Sequence, residues 1–598
     1  MTDVIDTVQD RGETPQRPLL FVETVRFSDD TTLNFDDDEI VVFVGPNNAG
    51  KSAALREIQE FVSTHIPQNV VKHVTFRKSG NGSTLLKYLE DNAQKIGTSA
   101  DLQYAGIGYS IHHRHVHMFD DITNLQPIAG FFCTRLPTET RITSSNPAKS
   151  IALFHEAPSH PIHLLLMDDR LANRISSLFK LAFGEDLIVF RGGGGKFPLY
   201  VGRKPSLQAG EDALSRTYID RLIRDAVPLE KQGDGIRSFV SVLLYVLAAE
   251  NHTIQFLDEP EAFLHPPQAR LIGEFIARER RGASQLFIAT HSPDILEGIV
   301  AGARDNVRII RIQRDGNINR VKELSRTKTS AIANDTFARY SGVLSGIFYR
   351  HVIICESDAD CLFYSSLLRS KSVSKDRNPD VLFVHASGKH RMAQLAETLR
   401  SLDVPVSVIA DLDILSELSA FKEVVEKLSG SWPDMIGHWS AIKTAVEERR
   451  PPFNAEQIVR LIKNEIDDVS GIGEFPKDRE RKIKAIFKVI SAWDELKHVG
   501  RSFLRGASAV QQFDKLDEKC AAIGLWFVPV GELEGFCRTV PGHGPAFVGK
   551  ILEEMNLDND HRLQEAREFV SKIWMRVRRD EEDEKIMHPG AGNVGNAQ

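Results

Sequence analysis

The sequence predicts an α/β protein of two domains, each built on a parallel sheet. Three observations carry this. A continuous apolar strand, Ile40–Val44, runs into a glycine-rich loop with a helix behind it, and strand and helix alternate again from Tyr218 to Ser292. The alternation then restarts at His351 after a polar stretch around 325–335. The chain has 598 residues, several times a common domain length. It is 42% hydrophobic and 26% charged, which excludes collagen-like and wholly disordered chains.

In order, residues 1–18 are polar and predicted disordered. Short strands follow in Leu19–Phe27 and Thr31–Phe35, then the buried strand Ile40–Val44 and a helix from Ala53. Between 74 and 200 the pattern is weaker. It holds a histidine-rich strand (111–119), a strand at Gly130–Cys133, an amphipathic helix near Arg170–Phe183 and the flexible Gly192–Gly195. A basic helix near Tyr218, the apolar helix Phe239–Ala249, a strand ending in Asp258, a helix over 267–280 and a strand before His291 complete the first block. In the second, His351–Cys355, Val381–His385, Val406–Ala410 and Leu525–Val530 are strands. Helices cover Ala359–Leu368 and His390–Ser401, and the charged helical stretch 415–520 reads as an insertion. The tail 580–598 is too polar to pack. The expected domains are thus 19–340, with an insertion at about 150–225, and 346–579.

There are 74 basic and 82 acidic residues, a net charge of −8. This excludes binding nucleic acid through bulk positive charge and leaves local patches or bound metal ions. The basic runs 278–281, 477–484 and 576–579 lie among acids and read as solvated helix faces. No apolar run approaches the length of a membrane span, and the N-terminus is neither a secretory signal nor a transit peptide. Five cysteines without a CxxC pair imply reduced thiols. A cytoplasmic protein without membrane contact is expected.

Gly45-Pro46-Asn47-Asn48-Ala49-Gly50-Lys51-Ser52 fits G-x-x-x-x-G-K-[ST] in full, between strand and helix. Backbone N–H groups of such a loop, Gly45, Asn47, Asn48 and Gly50 among its residues, close around a β-phosphate. Lys51 reaches the β- and γ-phosphates, and the Ser52 hydroxyl reaches Mg²⁺. Asp258 and Glu259 end the strand 254–258. Asp258 is placed to hold Mg²⁺ and Glu259 to orient the attacking water, so ATP with Mg²⁺ is the expected cofactor.

A long stretch of chain separates Lys51 from Asp258, and in this the first half resembles the ABC-type ATPases of the structural-maintenance-of-chromosomes and recombination-repair branch. Gln232–Ser238 resembles a degenerate ABC signature loop, and His291 matches the switch histidine that contacts the γ-phosphate. The resemblance implies that Ser238 faces a nucleotide held by another protomer, and hence a homodimer or higher oligomer formed through the ATPase domains.

In the second half, strand-end Glu356 and the strand-end pair Asp411-Leu412-Asp413 resemble a TOPRIM domain, a Rossmann-like fold, with Ser357 departing from the usual glycine. Parallel strand ends collect at one sheet edge, and clustered carboxylates there call for Mg²⁺ or Mn²⁺, one or two ions. ATPase then TOPRIM on one chain resembles the overcoming lysogenization defect (OLD) family, including anti-phage effectors such as the Gabija nuclease subunit and retron-associated OLD nucleases. From that resemblance Asp360, Glu532 and Glu534 join Glu356, Asp411 and Asp413 as metal-site acids, and Lys550 is the lysine that stabilises developing charge.

The expected function is therefore a divalent-metal-dependent DNA endonuclease controlled by ATP and acting against phage. The resemblance adds a possible operon-encoded partner, a helicase-like protein or a reverse transcriptase with its RNA and DNA. The alternative is a recombination-repair-like ATPase that tethers DNA without cutting it. A type II topoisomerase-like enzyme would need a nucleophilic tyrosine on a winged-helix domain, and none of the nine tyrosines has that setting.

Overall fold

The computed structural model describes residues 17–586 except 100, 123–124, 153–154, 193, 249–251, 280–283, 303–305, 325, 328, 330–342, 376–377, 403, 450–454, 468–474 and 489–491. The predicted disordered N-terminus and most of the polar stretch 325–335 lie outside these residues. Two compact units divide the chain at 339/340.

The first unit is organised by a six-stranded sheet. Its strands are β1 (Ile40–Val44), β2 (Cys133–Leu136), β3 (Ile254–Asp258), β4 (Gln285–Ala289), β5 (Val307–Asp315) and β6 (Ile318–Leu324), in the order β6-β5-β1-β4-β3-β2. All neighbours are parallel except the β5–β6 hairpin. Every residue of β1, β3 and β4 is buried, which is why these strands read as unbroken apolar runs. On one face Val41, Phe43, Phe256 and Phe287 pack with helix α1 (Lys51–Thr64) and an antiparallel sheet of Leu19–Phe27, Thr32–Asn34 and Val71–Ser79. The register places Phe43, Ala289 and Asp258 side by side, so the loops after β1, β3 and β4 leave from one edge.

Two local expectations are corrected. The histidine-rich run is a short strand, Tyr109–His112, followed by a 3-10 helix, His113–Phe119. Val116 and Phe119 turn inward at helical spacing, so His113, His115 and His117 share no strand face. Gly130–Cys133 is not a strand: Ala129–Phe132 forms one helical turn that delivers Phe131 and Phe132 to the core, and the strand starts at Cys133.

The second unit holds four parallel strands, β7 (His351–Cys355), β8 (Val381–His385), β9 (Val406–Ala410) and β10 (Leu525–Phe527), in the order β8-β7-β9-β10. One face is closed by α2 (Asp358–Arg369), α3 (Pro545–Glu554) and α4 (Gln564–Ile586) through Phe363, Tyr364, Phe569 and Trp574. The stretch 415–520 is largely helical, and its helices include Ile436–Glu447, Ala492–Val499 and Ala507–Ile523. β10 stops short of Val530, because the chain turns at Val528–Gly531, where Gly531 has φ +100°. The tail expected to be disordered from 580 is helical as far as Ile586. Its Glu, Asp and Lys residues continue the α4 hydrogen-bond ladder at little cost.

Candidate functional site

The nucleotide-type pocket sits at the C-terminal edge of the first sheet. β1 ends at Val44 and the chain turns at Gly45 with φ +136°, where a Cβ would collide with the Ile312 carbonyl oxygen. Asn47 and Asn48 are exposed at the loop's rim, and Asn319 Nδ2 ties the loop down by donating to the Ala49 carbonyl at 2.6 Å. The Lys51 ammonium donates to the carbonyls of Gly45 and Pro46, each at 2.9 Å. Burial lowers its pKa, while the charges of Glu259, Glu261 and Asp258 oppose that shift. Across the pocket, Ser52 Oγ donates to Asp258 Oδ1 at 2.8 Å. A hydroxyl hydrogen-bonded to a carboxylate is a donor set that fits Mg²⁺.

Three further groups hold the β3 end, and the motif reading missed them. Arg135 Nη2 lies 3.1 Å from Asp258 Oδ2. Arg141, fully buried, donates to the main-chain carbonyls of Asp258 and Glu259. Glu259 itself has φ +48°, and its N–H donates to Ala289 O at 2.8 Å. Buried Glu261 accepts from Thr290 Oγ1 at 2.8 Å and from His291 N–H at 3.0 Å, and its carboxyl pKa is raised by burial. His291 Nδ1 stands 3.4 Å from carboxylate oxygens of both Glu259 and Glu261. The second glutamate of the Asp-Glu-Pro-Glu run was visible in the sequence. The two arginines carry no motif: Arg135 meets β3 through the β2–β3 pairing, and Arg141 from the helical turn Thr138–Arg141 that follows β2.

Ser238 departs from its expected place. It is fully buried in the helix Asp234–Ala248, and its hydroxyl donates to the Ala262 carbonyl at 2.9 Å, so it faces inward within this chain. The apolar helix buries the serine along with its neighbours.

The acidic site lies at the matching edge of the second sheet. Glu356 follows β7, while Asp411 and Asp413 follow β9. One carboxylate oxygen of each lies within 4.8 Å of the others. Asp413 Oδ1 is buried without a hydrogen-bond partner. Burial raises the pKa of Asp411 well above the ordinary carboxylate value and that of Glu356 as well, Glu356 further through the nearby charge of Asp413. Three converging carboxylates with an orphaned buried oxygen fit a divalent cation.

Two lysines stand beside these acids. Lys497 Nζ is 3.1 Å from Asp411 Oδ2 and 3.4 Å from Asp413 Oδ2. Lys389 Nζ is 3.4 Å from Asp413 Oδ2 and 2.8 Å from Glu417 Oε1. Neither was singled out from the sequence. Lys497 comes from the charged insertion, and nothing in its spacing points back to the strands.

The remaining expected acids have other partners. Asp360 caps α2: its Oδ2 accepts from the Ser357 N–H and hydroxyl at 2.9 and 2.8 Å, a capping box that accounts for Ser at position 357. Glu532 pairs with His498 Nδ1 at 2.6 Å, and Glu534 with His543 Nδ1 at 2.6 Å and the Gly544 N–H at 2.7 Å. Asp360 and Glu534 are near enough for their charges to interact. Lys550 does not join the acids: its ammonium donates to the Pro541 carbonyl at 2.9 Å, one turn before its own helix.

Residues 136–297 match the family described as "AAA domain, putative AbiEii toxin, Type IV TA system", a stretch that contains Asp258, Glu259 and His291. Residues 347–413 match the "Overcoming lysogenization defect protein-like, TOPRIM domain", which contains Glu356, Asp411 and Asp413. The Old nuclease of Escherichia phage P2 is 22% identical over 178 residues, covering 28% of this chain and only 29% of that protein. Among solved structures, an SMC head domain from Thermotoga maritima aligns at 11% identity and TM-score 0.26, over 52% of this chain and 100% of that one. An SMC head with an extended coiled coil from Pyrococcus furiosus aligns at 12% identity and TM-score 0.29, over 52% of this chain and 98% of that one. The chain thus joins a region similar to an ATPase domain to a region similar to an overcoming lysogenization defect-type TOPRIM domain, and it spans less than a third of the length of the curated relative it matches.

Proposed function

We propose that the protein is an ATP-controlled, divalent-metal-dependent DNA endonuclease that acts against phage. The observation that carries this reading is the convergence of Glu356, Asp411 and Asp413 at one sheet edge, with a buried oxygen of Asp413 left open to a ligand. The ATPase domain is taken as 19–340 and the TOPRIM domain as 346–579. The protein is read as a cytoplasmic homo-oligomer joined through its ATPase domains, with DNA as substrate and a partner encoded beside it.

In this reading the loop Gly45–Ser52 binds the triphosphate and Lys51 leaves its two loop carbonyls for phosphate oxygens. Ser52 and Asp258 hold Mg²⁺. Glu259 accepts a proton from the attacking water, and Glu261 and Arg141 keep His291 and the Asp258–Glu259 backbone in position. At the second site Glu356, Asp411 and Asp413 hold Mg²⁺ or Mn²⁺, with Asp360 and Glu534 behind them. A bound ion would supply Lewis-acid stabilisation of charge on the phosphodiester.

The test is supercoiled plasmid with Mg²⁺ or Mn²⁺, with and without ATP, for the wild type, Glu356→Ala and Lys51→Ala. Nicking lost in Glu356→Ala supports the reading, with Lys51→Ala altering its dependence on ATP. Nicking that survives Glu356→Ala refutes the site. DNA binding without nicking, under every metal and nucleotide condition, would make the protein a DNA-tethering ATPase instead.

A further inference from the structure

Lys497 is held more firmly than a surface lysine. It belongs to the helix Ala492–Val499, whose C-terminal turn is clamped to the loop after β10. Gly531, with φ +100°, lies so close that a Cβ would collide with the Lys497 carbonyl oxygen, and the Arg501 N–H donates to the Pro529 carbonyl at 3.0 Å. Arg538 Nη2 donates to the carbonyls of His498 and Val499 at 3.1 Å each. The Gly531 carbonyl in turn accepts the Leu412 N–H at 2.9 Å, which ties the same loop to the Asp411–Asp413 turn. The fold thus fixes the backbone of Lys497 against the acids it pairs with.

The side chain is 23% exposed, and its ion pairs are with Asp411 and Asp413. Burial disfavours its charge, yet the two carboxylates outweigh burial and hold the ammonium above its ordinary pKa. The oxygens it meets belong to two of the three converging carboxylates. A divalent ion drawn by the same negative charge would face a fixed like charge within a few ångströms.

We propose that Lys497 is a built-in counter-ion of the acidic site, which a divalent ion must displace from Asp411 and Asp413, so that the helical insertion sets the site's affinity for the ion. This rests on the reading of Glu356, Asp411 and Asp413 as the ion's ligands. Lys497 offsets part of the cluster's negative charge while the ion is absent, and it is the ammonium that pairs with both of the half-buried carboxylates of Asp411 and Asp413. Lys389 differs, because Glu417 holds it at the shorter distance. Lys497 is a positioning residue in this role.

The experiment is Mn²⁺ binding to the full-length protein without nucleotide or DNA. Free ion is read by electron paramagnetic resonance at alkaline pH, where carboxyl protonation competes least. The part of binding lost in Glu356→Ala reports this site. Lys497→Met and Lys497→Gln are expected to bind Mn²⁺ about tenfold more tightly there, whereas Lys497→Arg, which keeps the charge, stays near the wild type. Binding in Lys497→Met and Lys497→Gln that is unchanged or weaker, with the wild type binding through Glu356, overturns the lysine's role and leaves the site standing. If no variant shows Glu356-dependent binding, both readings fall. Binding that appears only when Lys497 is replaced supports the inference in its strongest form.

Discussion

In the first unit Asp258 is held by a hydroxyl on one oxygen and a guanidinium on the other, and the main chain beside it is braced by a buried arginine. In the second unit Asp411 and Asp413 share the ammonium of a lysine delivered by an insertion, and Asp413 keeps one buried oxygen without a partner. Both sites use the C-terminal edge of a parallel sheet, where strand ends of distant sequence are brought together. The nucleotide-type pocket is built largely from contiguous runs, Gly45–Ser52 and Asp258–Glu261. The acidic site takes its groups from the ends of β7 and β9 and from a helix far along the chain. A pocket of contiguous motifs has its groups positioned by local backbone geometry. A site of scattered groups depends on how the insertion packs.

Substitutions can break this contrast, and the largest effect is expected at Glu356. Glu356→Ala should lower plasmid nicking by on the order of 10²–10³-fold with ATP hydrolysis unchanged, because one of three converging ligands is lost. Fluorescence-based nicking and phosphate-release assays on one preparation would check the separation.

Next is Arg141→Ala in the first unit. It removes the guanidinium that two main-chain carbonyls share, leaving the Asp258 carbonyl with the Thr138 hydroxyl at 3.3 Å, and takes a positive charge from beside Asp258, Glu259 and Glu261. A cost of about 2–4 kcal/mol in stability is expected. ATP turnover should fall by roughly 10–100-fold with KM little changed, since Glu259 loses its position and the loop Gly45–Ser52 does not. Denaturant unfolding and steady-state kinetics read the two effects separately.

A smaller effect tests the packing of the insertion. Burial holds the Asp517 carboxyl up at about 6. The fold therefore favours its neutral form, and that contribution to stability is present near pH 4 and is lost as pH rises to about 6. Asp517→Asn should stabilise the protein by roughly 1–2 kcal/mol at neutral pH, with the gain vanishing toward pH 4. Chemical denaturation at several pH values would show it.

The smallest effect is expected at Lys550. Its ammonium is bonded to the Pro541 carbonyl, so Lys550→Ala should change nicking by less than about threefold. A loss as large as that of Glu356→Ala would instead restore Lys550 to the site.

The sequence by itself determined the parallel strands β1, β3 and β4 of the first sheet and the four of the second, but not the β5–β6 hairpin. The apolar run of β1 ends in a glycine and those of β3, β7 and β9 in acids, and a strand buried on both faces reads as an unbroken apolar run. It also located the loop Gly45–Ser52, Asp258, Glu356, Asp411 and Asp413, since each stands directly at a strand end. Only the tertiary structure placed Arg135 and Arg141 against Asp258, turned Ser238 inward, gave Asp360 to a helix cap, and put Lys497 rather than Lys550 beside the acids. The reason is physical: a long side chain finds its partner through sheet pairing and helix docking, and neither leaves a fixed spacing along the chain.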